Sequence, residues 1–324
     1  MCLKWHTFCC FNKRTKTSMN NPYLLFVLAM LLFSSCGPSF REQNEKIMKV
    51  KKADLQKDSM AFKVAVTPTL DCLPIYVAKE SGIFDSIGVD VSLKMKNSLM
   101  ECDEIMRKGQ VECMNSDLMR TERLKRQGIP LSYITATNAY WQMIGNKKGR
   151  IKEIGNLGDK MIAISRYSAT DYLATLAIDS IKPKKPVFRI QVNDVFVRLM
   201  MLVNNEMDAV MLTEPQATTA RLNNNVVMMD SRQKDIQLGV IAIHTSRTKD
   251  TRRKNQLKKF EQAYNMAVDS INDKGMDHYS AVIMKYCKTD LATIKALPKL
   301  KYGHTSTPRT KDINRTANVK WRTN

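Results

Sequence analysis

Four histidines and eight cysteines are scattered through 324 residues without metal-ligand spacing. Cys72, Cys102, Cys113 and Cys287 form no C-x-x-C, and His244, His278 and His304 stand alone, so no zinc-type site is expected. Eight unevenly placed cysteines are also too few to frame a disulfide scaffold in a chain this long. Cys102 and Cys113 flank a helical stretch and would pair only within the ~7 Å Cα limit. Buried free thiols are the favoured alternative. No glycine-rich loop ending in Lys-Ser/Thr, no H-E-x-x-H and no G-x-S-x-G is present, which removes phosphate-loop, zincin and α/β-hydrolase chemistry. No cofactor is implied. No repeat of fixed period is found. Acid is scarce: 31 Asp+Glu against 52 Lys+Arg give +21. The first 36 residues contribute four positives, Lys4, Lys13, Arg14 and Lys16, and no acid, so +17 is spread through the rest. The positives are dispersed over solvent-facing helical positions such as Lys249–Lys259 and no nucleic-acid motif accompanies them, so no nucleic-acid partner is expected.

What is present begins with an address. The basic start is followed by a twelve-residue apolar run, Pro22 to Phe33, too short to cross ~30 Å of hydrocarbon. Met19 is an alternative start. Small residues then precede a cysteine and a glycine: Ser34-Ser35-Cys36-Gly37. This resembles a bacterial lipoprotein signal, with Phe33 where leucine is usual. The resemblance implies a signal over 1–36, a lipid on Cys36 and a membrane-anchored chain in the cell envelope. Residues 37–60 are polar and read as a tether. No later run is apolar enough for a membrane span.

From Phe62 short apolar runs alternate with amphipathic ones. Strands are expected at Phe62–Val66, Val89–Leu93, Val111–Met114 and Leu131–Ala136, with helices at Leu73–Ser81, Ser98–Lys108 and Ser116–Gln127. A second series follows: strands at Gln142–Asn146, Met161–Ser165, Val187–Val192, Asp208–Leu212 and Gly239–His244, with helices at Ala169–Asp179, Val195–Asn204 and Glu214–Leu222. Helices at Lys249–Asp273, about 277–286 and about 290–297 close the chain. Pro308, Ile313, Ala317 and Trp321 suit a last docked helix. The 44% hydrophobic content supports real cores, and the alternation argues for mainly parallel α/β sheets. Most of the 21 methionines fall at helical spacing with Leu and Val, as in Leu199-Met-Met-Leu202, and serve as core filling.

Three segments carry a family resemblance. Leu73-Pro-Ile-Tyr-Val-Ala-Lys-Glu-Ser-Gly-Ile-Phe-Asp-Ser-Ile-Gly-Val-Asp-Val91, Leu157-Gly-Asp-Lys-Met-Ile-Ala-Ile-Ser165 with Ser168-Ala-Thr-Asp-Tyr172, and Asn205-Glu-Met-Asp-Ala-Val-Met-Leu-Thr-Glu-Pro215 occur in order. The chain is similar to periplasmic substrate-binding proteins of the nitrate/sulfonate/taurine and thiamine-precursor (NMT1/THI5-like) ABC-transporter group. Lys96-Asn-Ser-Leu-Met-Glu-Cys102 departs from that group's Gly/Ala-rich pocket loop. The resemblance implies a two-lobed type II binding-protein fold, α/β, with a ligand cleft between mainly parallel sheets. Lobe one is expected at 61–140 plus 246–324 and lobe two at 141–245, with chain crossings near Trp141 and Gly239.

In such sheets ligands sit beyond the carboxyl ends of the strands, where helix starts offer free N–H groups. Ser168 and Thr170 stand at one such start, as hydroxyl donors to an anionic or polar head group or as plain caps. Thr69, Asp71 and Ser116 occupy strand-to-helix turns of the other lobe. Trp141 would stack on a flat ligand or pack at the hinge, and Glu214 would face the cleft or make a structural ion pair. The function implied is a monomeric solute-binding lipoprotein, not an enzyme, that closes on a small anionic or heteroaromatic molecule and delivers it to an ABC permease. The alternative is an enzyme or ligand sensor on the same fold, such as a pyrimidine-precursor synthase, whose cysteine-rich motif has no counterpart here.

Overall fold

The computed structural model describes residues 40–317 together with Val319 and Trp321. The signal over 1–36 and Cys36 lie outside them. Two units separate at Gln56/Lys57. Phe40–Met60 (α1) is one 21-residue helix, exposed from Phe40 to Lys52. The stretch read as a tether is thus helical. Lys, Glu and Gln are good helix formers, so a polar run without apolar periodicity can be helical while its side chains from Phe40 to Lys52 face water.

The second unit contains two five-stranded sheets. The first is built from β1 (Phe62–Val66), β2 (Val91–Met95), β3 (Cys113–Asp117) and β4 (Leu131–Ala136), interleaved with α2 (Leu73–Glu80), α3 (Ile83–Ile87), α4 (Leu99–Arg107) and α5 (Leu118–Arg126). Gly82 and Gly88, both at φ near +70°, end α2 and α3 in the left-handed conformation that glycine adopts without strain. The second sheet is built from β5 (Gln142–Gly145), β6 (Met161–Ile164), β7 (Phe188–Gln191), β8 (Ala209–Leu212) and β9 (Val226–Asp230), with α6 (Ala169–Ile181), α7 (Val195–Val203) and α8 (Gln216–Leu222).

The chain then returns. β10 (Gly239–His244) enters the first sheet between β3 and β4, giving the order β2-β1-β3-β10-β4; the second sheet reads β7-β6-β8-β5-β9. β10 is antiparallel to both its neighbours, as is β5, while β1–β2, β1–β3, β6–β7 and β6–β8 pair in parallel. In each sheet the odd strand is the one reached directly after a crossing. This corrects two expectations: Gly239–His244 belongs to the first sheet, not to a lobe ending at 245, and β9 had not been foreseen.

The C-terminal helices α9 (Thr251–Lys274), α10 (Ser280–Cys287), α11 (Leu291–Lys295) and α12 (Thr310–Ala317) complete the unit. Along α9, Phe260, Ala263, Tyr264, Ala267, Val268 and Ile271 form one buried stripe, and its lysines lie mostly on the opposite, wet side. Phe260 meets Phe62 and Phe84 with ring centroids 5.5 and 5.7 Å apart, sealing α9 to the first sheet. Arg253 donates to the Ala61 carbonyl at 2.7 Å and faces the buried Glu112 carboxylate at 3.5 Å. Among the described residues no helix is long and apolar enough to cross a membrane.

Candidate functional site

The parallel strands of both sheets direct their carboxyl ends at one cavity of about 50 Å³, room for only a few waters or one small head group. Thr67, Thr69 and Asp71 follow β1, Asn97–Leu99 follow β2, and Asn115–Asp117 end β3; opposite them stand Ser165, Ser168 and Thr170 after β6, Asn193, Val195 and Arg198 around the start of α7, and Thr213 after β8. Trp141, on the first crossing, completes the wall and is buried.

Of the seven residues expected to contact a ligand, Thr69, Asp71, Ser116, Trp141, Ser168 and Thr170 line this cavity and Glu214 does not. Glu214 is buried behind it, with both oxygens occupied. Oε1 accepts from the Tyr140 hydroxyl at 2.7 Å and from Arg221 at 2.9 Å; Oε2 accepts from the Thr218 amide and hydroxyl at 3.0 and 2.7 Å. Its place beside both crossings makes it structural.

Hydrogen-bond direction decides what each wall offers. Thr69 donates to Asp71 Oδ1 at 2.5 Å, and Asn115 Nδ2 donates to Thr67 Oγ1 at 2.7 Å. The Thr67 hydroxyl, 2.9 Å from that of Thr69, is left to donate to it. These three bonds therefore run in one direction, inward to Asp71. Asn115 Oδ1, Ser116 Oγ and Asp117 Oδ2 are buried and make no full hydrogen bond among the described residues, which are at most 2% exposed at these positions. Asp117 Oδ1 caps α5, accepting from the Arg120 amide at 2.9 Å. Burial raises the pKa of Asp71, and raises that of Asp117 to about 6 although Arg120 and the Ala169 N–H at the start of α6 pull it down.

On the second wall, Ser168 caps α6 and donates to the Ser165 carbonyl at 2.6 Å; Thr170 accepts from the Ser165 amide at 2.9 Å, and its own hydrogen goes to Ser168 or to the Ser165 carbonyl. The Ser165 hydroxyl donates to Asn193 at 2.9 Å. The hydroxyls expected to serve a head group are thus spent on the turn itself. The residue that sequence reasoning missed is Arg198. It is 6% exposed, its Nε donates to the Met211 carbonyl at 3.1 Å, and its Nη1 donates to those of Val192 and Asn193 at 2.7 and 3.1 Å. No carboxylate lies within salt-bridge distance among the described residues, and burial lowers its pKa to about 10. Asp194, the cap of the same helix, opposes that fall from outside salt-bridge distance, so the guanidinium stays a cation with no carboxylate paired to it.

Arg120 ties the walls together. It pairs with Asp103 at 2.6 Å, both side chains under a tenth exposed, and donates to the Arg166 carbonyl beyond β6 at 3.2 Å. Cys72, Cys102, Cys113 and Cys287 are free and buried, and burial pushes all four thiols up. Among the described residues no cluster of three or more His, Cys, Asp or Glu could hold a metal ion.

The NMT1/THI5-like family model matches residues 69–274, most of the two sheets and the whole cavity wall except Thr67. The chain belongs to the NMT1/THI5-like family. Solved structures of the same fold include the ligand-binding component of an ABC-type import system from Staphylococcus aureus with zinc bound, at TM-score 0.67 and 12% identity over 79% of this chain and 90% of that one. The alkanesulfonate-binding protein SsuA from Xanthomonas axonopodis pv. citri, bound to MOPS, has TM-score 0.65 and 10% identity over 79% and 89%. The periplasmic nitrate-binding protein NrtA from Synechocystis PCC 6803 has TM-score 0.61 and 15% identity over 72% and 68%. No curated protein matches the sequence. At these identities the likeness is one of fold, which accounts for the two mixed sheets and their helices.

Proposed function

We propose that this chain is the solute-binding component of an ABC importer, held at the extracytoplasmic face of a membrane by a lipid on Cys36, and that it closes on a small anionic or heteroaromatic molecule. The observation that carries this reading is Arg198, a buried guanidinium with no carboxylate partner on the wall of a cavity shared by both sheets. A cation desolvated in that way is stabilised by an incoming anion or strong acceptor far more than an exposed one would be. Capture by domain closure suits a cavity that is walled from both sides, with room for little more than a head group. The family membership and the import proteins that share the fold support the same reading.

The test is a thermal-shift and calorimetric screen of the full chain, purified in mild detergent, against nitrate, ethanesulfonate, taurine, propionate, β-alanine and 4-aminopyrimidine. A ligand of the native state raises the melting temperature by linkage. At least one probe should bind, and Arg198→Gln should weaken it by about 100-fold, the loss of a charge-assisted bond in a dry site. Binding by no probe, or binding indifferent to Arg198, would overturn the proposal.

A further inference from the structure

The turn between β6 and α6 is held from the side of the first sheet. Ser165 and Ser168 line the cavity, and between them Tyr167 has φ +59°, a left-handed conformation that a bulky side chain adopts only when its surroundings impose it. Within the second sheet's own elements, Asp171 in the first turn of α6 accepts from the Tyr167 amide at 2.9 Å. The ring is gripped from outside. The Arg123 guanidinium of α5 lies 4.3 Å over its centre, and the Trp321 ring meets it edge-on, with centroids 5.5 Å apart and planes at 85°. One turn earlier on α5, Arg120 donates to the Arg166 carbonyl at 3.2 Å.

Trp321 is carried by the first sheet. The chain leading to it lies along β4, the edge strand, where Ser306 accepts from the Ala136 amide at 2.8 Å and donates its own amide to Thr135 Oγ1 at 3.1 Å. Tyr302 donates to the Leu70 carbonyl at 2.9 Å, and Arg309 pairs with Asp235 on the return crossing at 2.6 Å. Ile313, Val319 and Trp321 then pack against the cluster that holds Leu118 and Met119 of α5. α5 and the end of the chain thus form one jaw, and Tyr167 is what they hold. Separating the sheets would withdraw both partners of the ring at once and leave a left-handed tyrosine with only its Asp171 bond.

We propose that Tyr167 is the tongue of a clasp: its ring, caught between Arg123 and Trp321, holds the cleft closed, and Arg123 and Trp321 are positioning residues for the Ser165–Ser168 wall. From the reading above the proposal takes only that the cavity is where solute is captured. One aromatic pair and one cation–π contact are enough to bias closure and weak enough to release.

The test needs no solute. The Val195 amide, at the start of α7, donates to the Asn97 carbonyl of the first sheet's wall at 3.4 Å, so its hydrogen exchange in the full chain, kept in mild detergent, reads separation of the sheets. Trp321→Ala and Tyr167→Gly should each speed exchange at Val195 about three- to tenfold, the worth of a lost aromatic contact. The buried stripe at 260–271 of α9 should keep the parent's rate. Glycine at 167 removes the strain together with the ring, so faster exchange in that variant assigns the grip to the ring. Trp321→Phe keeps an aromatic edge and should stay within about twofold of the parent. Faster exchange confined to 165–172, a parent rate at Val195 in either variant, or acceleration that includes α9 would overturn the clasp. The importer reading is tested by the solute screen and is untouched by any of these results.

Discussion

The Tyr140 hydroxyl, on the segment leading from the first sheet to the second, donates to Glu214 Oε1 at 2.7 Å. Arg232, on the returning segment, lies 3.9 Å over the same ring. Both crossings thus rest on one buried carboxylate. Removing it takes an acceptor from the Tyr140 hydroxyl, the Thr218 amide and hydroxyl, and Arg221. Glu214→Ala is expected to cost about 3–5 kcal/mol in urea unfolding, and Glu214→Gln clearly less because it keeps an acceptor. A loss below about 1 kcal/mol for the alanine variant would contradict the structural assignment.

Gly239 opens β10 at the point where the crossings touch. A Cβ there would lie 2.2 Å from Thr137 Oγ1 and 2.5 Å from the Ala139 Cβ, and Thr137 donates its amide to the Gly239 carbonyl at 2.9 Å. Gly239→Ala should lower stability by about 1–3 kcal/mol through overpacking. Gly303→Ala, where nothing lies within 4 Å, is the control and should change it by less than about 0.5 kcal/mol.

Asp117 links stability to pH. Its pKa is about 6 in the fold, set first by burial and raised further by Asp103, against roughly 3.9 in the unfolded chain. The folded state therefore holds the proton more tightly. The associated stability is fully present below about pH 4 and is lost as pH rises through 6. Asp117→Asn removes this ionisation while retaining a cap, so it should be more stable than the parent by about 2–3 kcal/mol at pH 7.5, with the gap closing towards pH 4. Unfolding curves across that range give the answer; a gap independent of pH would count against it.

Arg120 and Asp103 form a buried pair, and the carboxyl pKa is raised because burial outweighs the attraction of its partner. Arg120→Ala leaves Asp103 alone and should cost about 3–5 kcal/mol at neutral pH, with part returning as Asp103 is protonated in acid. Asp103→Ala added to it should restore some of that loss. A double variant no better than Arg120→Ala would show that the pair is not coupled.

The alternation of short apolar runs with helical ones exposed most strands to sequence reading, because each strand is bounded by a cap or turn residue such as Ser98, Ser168 or Asp194. β9 escaped because Val226–Asp230 follows three asparagines and leads to no regular helix. β10 was assigned to the wrong sheet because order along the chain does not say which sheet a strand joins. The strand-end turns that line the cavity were legible as turns. Arg198 was not, since one arginine in Val195-Phe-Val-Arg-Leu-Met-Met looks like the wet side of an amphipathic helix until the carbonyls of Val192, Asn193 and Met211 close around it. Direction was also hidden: Ser168 and Thr170 read as donors, and only their bonds to Ser165 show where the hydrogens go.

β4 has β10 as its sheet neighbour, and Leu131 waits for His244 more than a hundred residues further along the chain. During synthesis the first sheet therefore remains unfinished until the second has been made. The export proposed above would gain from that delay, because the late strand keeps the early half from locking too soon.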